Sequence, residues 1–158
     1  MRISPLESAV LWEYMQDFQE RILRFNNNCS VIAEFLSTHL AVGFVYHPSL
    51  NYHSSFDTAK KLLSGNGGVV SFTLKDESEN ALKKFYDREF SSMIKAPSIG
   101  SNQTLICPYT LLTNYFYTDE ELKEIQLPRH LIRISAGCET EIDGILEDLD
   151  FALRRTIQ

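Results

Sequence analysis

Leu131-Ile132-Arg133-Ile134-Ser135-Ala136-Gly137-Cys138-Glu139 sets one cation in the middle of an apolar run. Residues 131 to 135 read as a strand. Successive side chains on a strand point to opposite faces, so Arg133 leaves the face that Ile132 and Ile134 share. An arginine so placed either faces solvent or finds an anion, and a guanidinium is the preferred bidentate partner of a carboxylate. Alternation by itself puts Arg133 on the solvent face. Ser98, in a Pro97-Ser98-Ile99-Gly100 loop, is the other residue that stands out.

Beyond this strand, Thr140 reads as the cap of a final amphipathic helix carrying Ile142, Ile145, Leu149 and Leu153 on its apolar side. Glu139, Glu141 and Asp143 flank the start of that helix and complement its dipole. Thr118 and Glu121 form a capping box for a short helix running to Ile125. Thr104 to Cys107 reads as a strand ended by Pro108, and Ser92 to Ile94 as a weaker one. Ser78 caps a helix that runs to about Tyr86. Gly65-Asn66-Gly67-Gly68 is a turn before the alternating strand Val69 to Leu74. A short helix over 56 to 63 and a strand from Phe44 to Tyr46, stopped by Pro48, complete this part.

The N-terminal segment is helical throughout. Ser4-Pro5 reads as its start, with serine at the cap and proline in the first turn. Leu11, Met15, Phe18, Ile22, Phe25, Cys29, Ile32 and Leu36 form a stripe with spacings of four and three. No Pro or Gly interrupts residues 6 to 40. One helix of ~34 residues would be ~50 Å long, more than the width of a compact domain of this size, so part of it would pack on something outside the chain. A kinked helix, or two helices broken near Asn26-Asn27-Asn28, are the alternatives. The whole reads as an α/β (α+β) fold of short, mostly antiparallel strands packed with helices.

Composition excludes several functions. A chain of 158 residues with 44% hydrophobic and 23% charged residues suits one globular domain. Its net charge of -6, with scattered basic residues, argues against a phosphate backbone as partner. Cys29, Cys107 and Cys138 are odd in number and lack C-x-x-C spacing, which argues against a disulfide framework or a zinc site and fits a reducing compartment. No apolar run approaches the ~18 residues of a membrane helix. The glycine turn lacks the Lys-Ser/Thr of a phosphate loop, since Val69 and Val70 follow it. His39, His47, His53 and His130 form no metal-binding spacing and read as surface or structural residues. No G-x-S-x-G marks a serine nucleophile.

The order of segments resembles the C-terminal third of the Cys/Met-metabolism PLP-dependent enzymes: cystathionine γ-synthases, cystathionine β- and γ-lyases, and methionine γ-lyases. Ser4-Pro5 and the long helix resemble the family's segment leaving the large domain, and Ala33-Glu34-Phe35-Leu36 its A-x-F-L helix end. Tyr46-His47-Pro48 is similar to a short strand ending in Y-P or H-P. Ser64 to Phe72 resembles the S-G-x-G-G turn and strand, and Pro97-Ser98-Ile99-Gly100 the S-L-G loop. Leu131 to Gly137 followed by Glu139 is similar to the L-I-R-hydrophobic-S-x-G-x-E signature. Glu147-Asp148-Leu149-Asp150 with Ala152-Leu153 resembles the closing helix. The run Ser98 to Tyr115 is most similar to the cystathionine γ-synthase branch. Glu13-Tyr14-Met15-Gln16 departs from the family, standing where many members have R-G-L-K.

The resemblance implies a division of the chain and a role. Residues 1–40 would be the linking helix from a missing large domain, and 41–158 the C-terminal small domain of a PLP-dependent transferase fold. Arg133 would bind the substrate α-carboxylate, and Ser98 would help to shape the same site. The Schiff-base lysine and the other groups that hold pyridoxal 5'-phosphate belong to the large domain. The lysines of this chain, Lys95 included, match none of those positions. The complete enzyme would use pyridoxal phosphate, this chain alone would bind none, and it would contribute no catalytic residue. Implied partners are the large PLP-binding domain or a complete homologous subunit, and an amino-acid substrate, in a cytoplasmic, homo-oligomeric full-length form. A non-catalytic interaction module, or a degenerate paralogue pairing with a complete subunit, is the competing expectation.

Overall fold

The computed structural model describes residues 3–157. Twelve elements follow along the chain: α1 (Pro5–Tyr14), α2 (Phe18–Thr38), β1 (Val42–Tyr46), α3 (Phe56–Leu62), β2 (Val69–Leu74), α4 (Glu79–Tyr86), β3 (Ile94–Lys95), β4 (Leu105–Pro108), α5 (Tyr109–Thr113), α6 (Asp119–Glu124), β5 (Ile132–Ser135) and α7 (Asp143–Arg154). The strands form one five-stranded sheet in the order β1-β2-β5-β4-β3. All pairings are antiparallel except β3 with β4. This is the mixed α/β architecture of short, mostly antiparallel strands that the sequence predicts.

Three helices cover one face of the sheet. Cys29, Ile32, Ala33 and Leu36 of α2, Ala81, Leu82 and Phe85 of α4, and Ile145, Leu149, Ala152 and Leu153 of α7 pack against Val70, Phe72, Leu74, Ile106, Ile132 and Ile134. The even-numbered residues of β2 and β5 therefore enter the core, as the alternation in the sequence requires. Phe72 sits at its centre, fully buried and edge-on to Phe85 at 5.8 Å between ring centroids.

The N-terminal segment is two helices, broken at residues 15–17 rather than at the asparagines. Ser4 and Glu7 make a reciprocal capping box at the start of α1. At the break, Arg21 donates from Nη2 to the Tyr14 carbonyl at 2.6 Å and from Nε to Asp17 Oδ1 at 3.0 Å. A carbonyl orphaned by the end of α1 thus gains a charged donor, which lets the helix stop without a glycine or proline. Asn26 stays helical and is used elsewhere: its Oδ1 accepts from the Gly67 backbone N–H at 2.7 Å, seating the glycine turn on α2. Gly67 has φ +86°, and a Cβ on Gly65 would lie 2.4 Å from Asn26 Oδ1, so both glycines answer a local need. Every residue of α1 is exposed, including Leu6, Val10, Leu11, Trp12 and Tyr14.

The predicted caps at Ser78 and Thr118 form as expected, each side chain accepting a backbone N–H three residues on. Thr140 caps nothing: α7 begins at Asp143 behind Ile142, without a side-chain cap. The weak strand falls at Ile94–Lys95, and α5 follows Pro108 directly. No described helix is long and apolar enough to cross a membrane.

His47 is fully buried at the end of β1. Its Nδ1 lies 2.6 Å from Ser49 Oγ, while Nε2 has no hydrogen-bond partner. Burial pushes the imidazole below its ordinary value; the nearby Gly67 backbone opposes this without reaching hydrogen-bond geometry. Well above pH 6.5, its ordinary value, His47 is neutral both folded and unfolded. Below it the unfolded chain takes up a proton that the folded chain resists, so stability falls as pH drops. Urea midpoints at pH 7.5 and 5.5 should differ less in His47→Gln than in the wild type. An equal difference in both would overturn the assignment.

Candidate functional site

The second face of the sheet carries the odd-numbered residues of β2, β4 and β5 and the even-numbered ones of β1. Tyr46 pairs with Ser71, Ser71 with Arg133, and Arg133 with Cys107, so one row crosses β1, β2, β5 and β4. Arg133 stands in the middle of that row between Ile132 and Ile134, both fully buried in the opposite direction. Residues 71 and 107 offer a hydroxyl and a thiol rather than bulk, which leaves room for the guanidinium. Burial raises the Cys107 thiol above its ordinary value, and the neighbouring Arg133 cation pulls it back down.

The loop that carries Ser98 closes over this row. Arg133 Nη2 donates to the carbonyls of Pro97 and Ser98, at 2.5 and 3.0 Å. Gly100, at φ +75°, turns the loop back, and its N–H donates to Ser135 Oγ at 3.3 Å. The two residues singled out in the sequence are therefore neighbours in space. They meet through the Ser98 backbone, and its side chain is exposed. The Tyr109 ring, at the start of α5, lies over the guanidinium with its centroid 5.0 Å from Cζ. Arg133 Nε is buried and has no hydrogen-bond partner among the described residues.

The end of the quoted stretch acts as a clamp. Glu139 accepts from the Thr104 backbone N–H through Oε1 and from Thr104 Oγ1 at 3.0 Å through Oε2. Thr104 Oγ1 in turn accepts from the Gly137 N–H at 2.9 Å. Asn28 Nδ2 donates to the carbonyls of Gly137 and Glu139 at 3.1 and 3.0 Å. A Cβ on Gly137 would come within 2.5 Å of the Asn102 carbonyl oxygen. The exit of β5 is thereby tied to the far end of the Ser98 loop. Glu139 does not serve the dipole of α7, as its position suggests; a buried N–H at Thr104 is the stronger claim on a carboxylate. Nothing in the spacing of 104 and 139 announces this pair.

An open cavity of about 400 Å³ adjoins the row, with Ile22, Phe25, Gly68, Val69, Ile99 and Ser135 in its walls. Neither Arg133 nor Ser98 lines it, and Ser135 borders both places. The arrangement can receive an anion at a positioned cation. It does not fit the imine end of an aldehyde cofactor, which needs a lysine whose amine is shielded from water. Every lysine in the chain stands at an exposed position. Lys95 rests on the Tyr86 ring, 4.6 Å from its centroid.

Known proteins share this fold. The cystathionine γ-synthase of Xanthomonas oryzae pv. oryzae, in complex with cystathionine, superposes with a TM-score of 0.86 at 28% identity, covering 98% of this chain and 39% of that one. The cystathionine β-lyase of Lactococcus lactis subsp. cremoris is 35% identical over 97% of this chain and 39% of that protein. The L-methionine γ-lyase of Fusobacterium nucleatum subsp. nucleatum is 30% identical over 97% of this chain and 38% of its own length. The chain thus spans about 39% of the length of such relatives. The family model described as Cys/Met metabolism PLP-dependent enzyme matches residues 1–154, more than half of the chain, and the chain belongs to that family.

Proposed function

We propose that this chain is the C-terminal, substrate-carboxylate-binding domain of a PLP-dependent trans-sulfuration enzyme of the cystathionine γ-synthase type. The observation that carries the reading is Arg133: a cation between two buried isoleucines of β5, on the open face of the sheet, beside the Ser98 loop. In the complete enzyme, pyridoxal phosphate bound to the remaining part supplies the electron sink for replacement or elimination. The residues of this chain bind and orient. Arg133 pairs with the α-carboxylate, and the Ser98 loop and the clamp at Glu139 keep the guanidinium in register. Alone, the chain is catalytically incomplete; its partners are the cofactor-bearing part or a complete homologous subunit, in a cytoplasmic homo-oligomer.

A cystathionine β-lyase reading is favoured by a different observation, the 35% identity over 97% of the chain to the Lactococcus lactis enzyme. A chimera decides between them and tests both. This chain replaces the matching segment of that lyase, and the purified chimera is given cystathionine, or cysteine with an activated homoserine. Formation of cystathionine supports the synthase reading, and cleavage alone supports the lyase. A folded, cofactor-loaded chimera inactive in both assays would overturn the assignment of the chain as a working substrate-side domain. The non-catalytic interaction module would then be the better account.

A further inference from the structure

Arg133 is held on two sides, and one of the holders lies outside the residues that the sequence brings to notice. Nη2 has both its hydrogens engaged, by the Pro97 and Ser98 carbonyls. Nε is buried and unpartnered. Among the described residues, the oxygens that Arg133 reaches are both met by Nη2, and Nη1 donates to none. The remaining restraint is on the face of the cation, where the Tyr109 ring lies 5.0 Å from Cζ. The ring is itself well supported. Thr110, fully buried, donates from Oγ1 to the Pro128 carbonyl at 2.7 Å, and Leu111 packs against the core. The two anchors fix the first turn of α5, and with it the direction of Tyr109.

We propose that Tyr109 is a positioning residue for Arg133: its ring bears on the guanidinium face and fixes the plane in which Nη1 is offered to a carboxylate. The inference rests on the reading of Arg133 as the carboxylate site. An aromatic face attracts a cation and, by covering it, keeps water from the donors beneath. Without the ring the side chain turns about its last torsions and the free donors lose their common direction. The phenolic hydroxyl has no part in this, so Tyr109→Phe should preserve the function.

The experiment has two readouts. In the chain itself, the Arg133 Nε–Hε signal is followed by ¹⁵N NMR in the wild type, Tyr109→Phe, Tyr109→Leu and Tyr109→Ala. In the active chimera, the KM and kcat for its amino-acid substrate are measured for the same set. Tyr109→Phe should match the wild type in both. Tyr109→Leu, which keeps bulk without an aromatic face, and Tyr109→Ala should shift the signal and speed its exchange with water. They should also raise KM by about tenfold while kcat changes far less. An unchanged Nε–Hε signal overturns the proposal, and so does a changed signal with an unchanged KM. Loss in Tyr109→Phe equal to that in Tyr109→Ala also overturns it, because the hydroxyl would then be the active group. If Arg133→Ala itself leaves KM unchanged, the carboxylate reading fails separately, and the NMR signal still reports whether Tyr109 orients Arg133.

Discussion

Replacing Arg133 by alanine in the active chimera should raise the KM for the amino-acid substrate by about a hundredfold, with kcat far less affected. Truncating one partner of a desolvated, hydrogen-bonded charge pair costs about 2–5 kcal/mol, and about 1.4 kcal/mol is a factor of ten. A contact made equally to substrate and transition state appears in KM rather than kcat. Lysine should recover only part of the loss: it restores the charge but not the fork, and its ammonium cannot be held flat beneath the Tyr109 ring. The alanine variant also releases the carbonyls of Pro97 and Ser98, so the loop loses a tie. Ser98→Ala leaves both the guanidinium and that tie in place. Its carbonyl is intact, so a KM increase there would implicate the hydroxyl itself. An unchanged KM in Arg133→Ala would remove the carboxylate role altogether.

The largest effect on stability is expected at Phe72. Phe72→Ala should destabilise the chain by about 3–5 kcal/mol, the usual cost of emptying an aromatic site in a closed core. Phe72 is fully buried and pairs with Val45 on β1 and Ile132 on β5. Its ring also meets Phe85 of α4 edge-on. Three elements therefore lose a shared contact, and the two strands cannot shift inward without breaking their pairing. Urea unfolding is the measurement, with a lower midpoint at an unchanged slope. A loss below about 1 kcal/mol would mean that the site collapses around the cavity, contrary to the packing described.

The elements with period and punctuation were legible in the sequence. Burial alternates from Val69 to Phe72 as the pattern requires, though Thr73 is buried as well, and Ser78 and Thr118 cap the helices that follow them. These depend on neighbours within a few residues, so the local sequence suffices. The segment from 5 to 38 shows where that stops. Its stripe is continuous, yet the chain breaks at 15–17, because Arg21 supplies a donor to a carbonyl seven residues back. α5 is too short to show a period and depends on Thr110 reaching Pro128. Thr140 has the right composition for a cap, but the chain just before it is pinned through Glu139 to Thr104, and the helix starts later.

By itself the sequence determined that the chain is an α/β domain of short strands, that Arg133 leaves the face shared by Ile132 and Ile134, and which family its segments resemble. Each of these follows from alternation, capping and the order of motifs along the chain. Only the tertiary structure decided what Arg133 meets. The Ser98 loop lies 35 residues away from it, Tyr109 belongs to another element, and the Thr104–Glu139 clamp joins two strand ends 35 residues apart. Contacts of that separation are set by strand register and the packing of loops, and no local pattern encodes them.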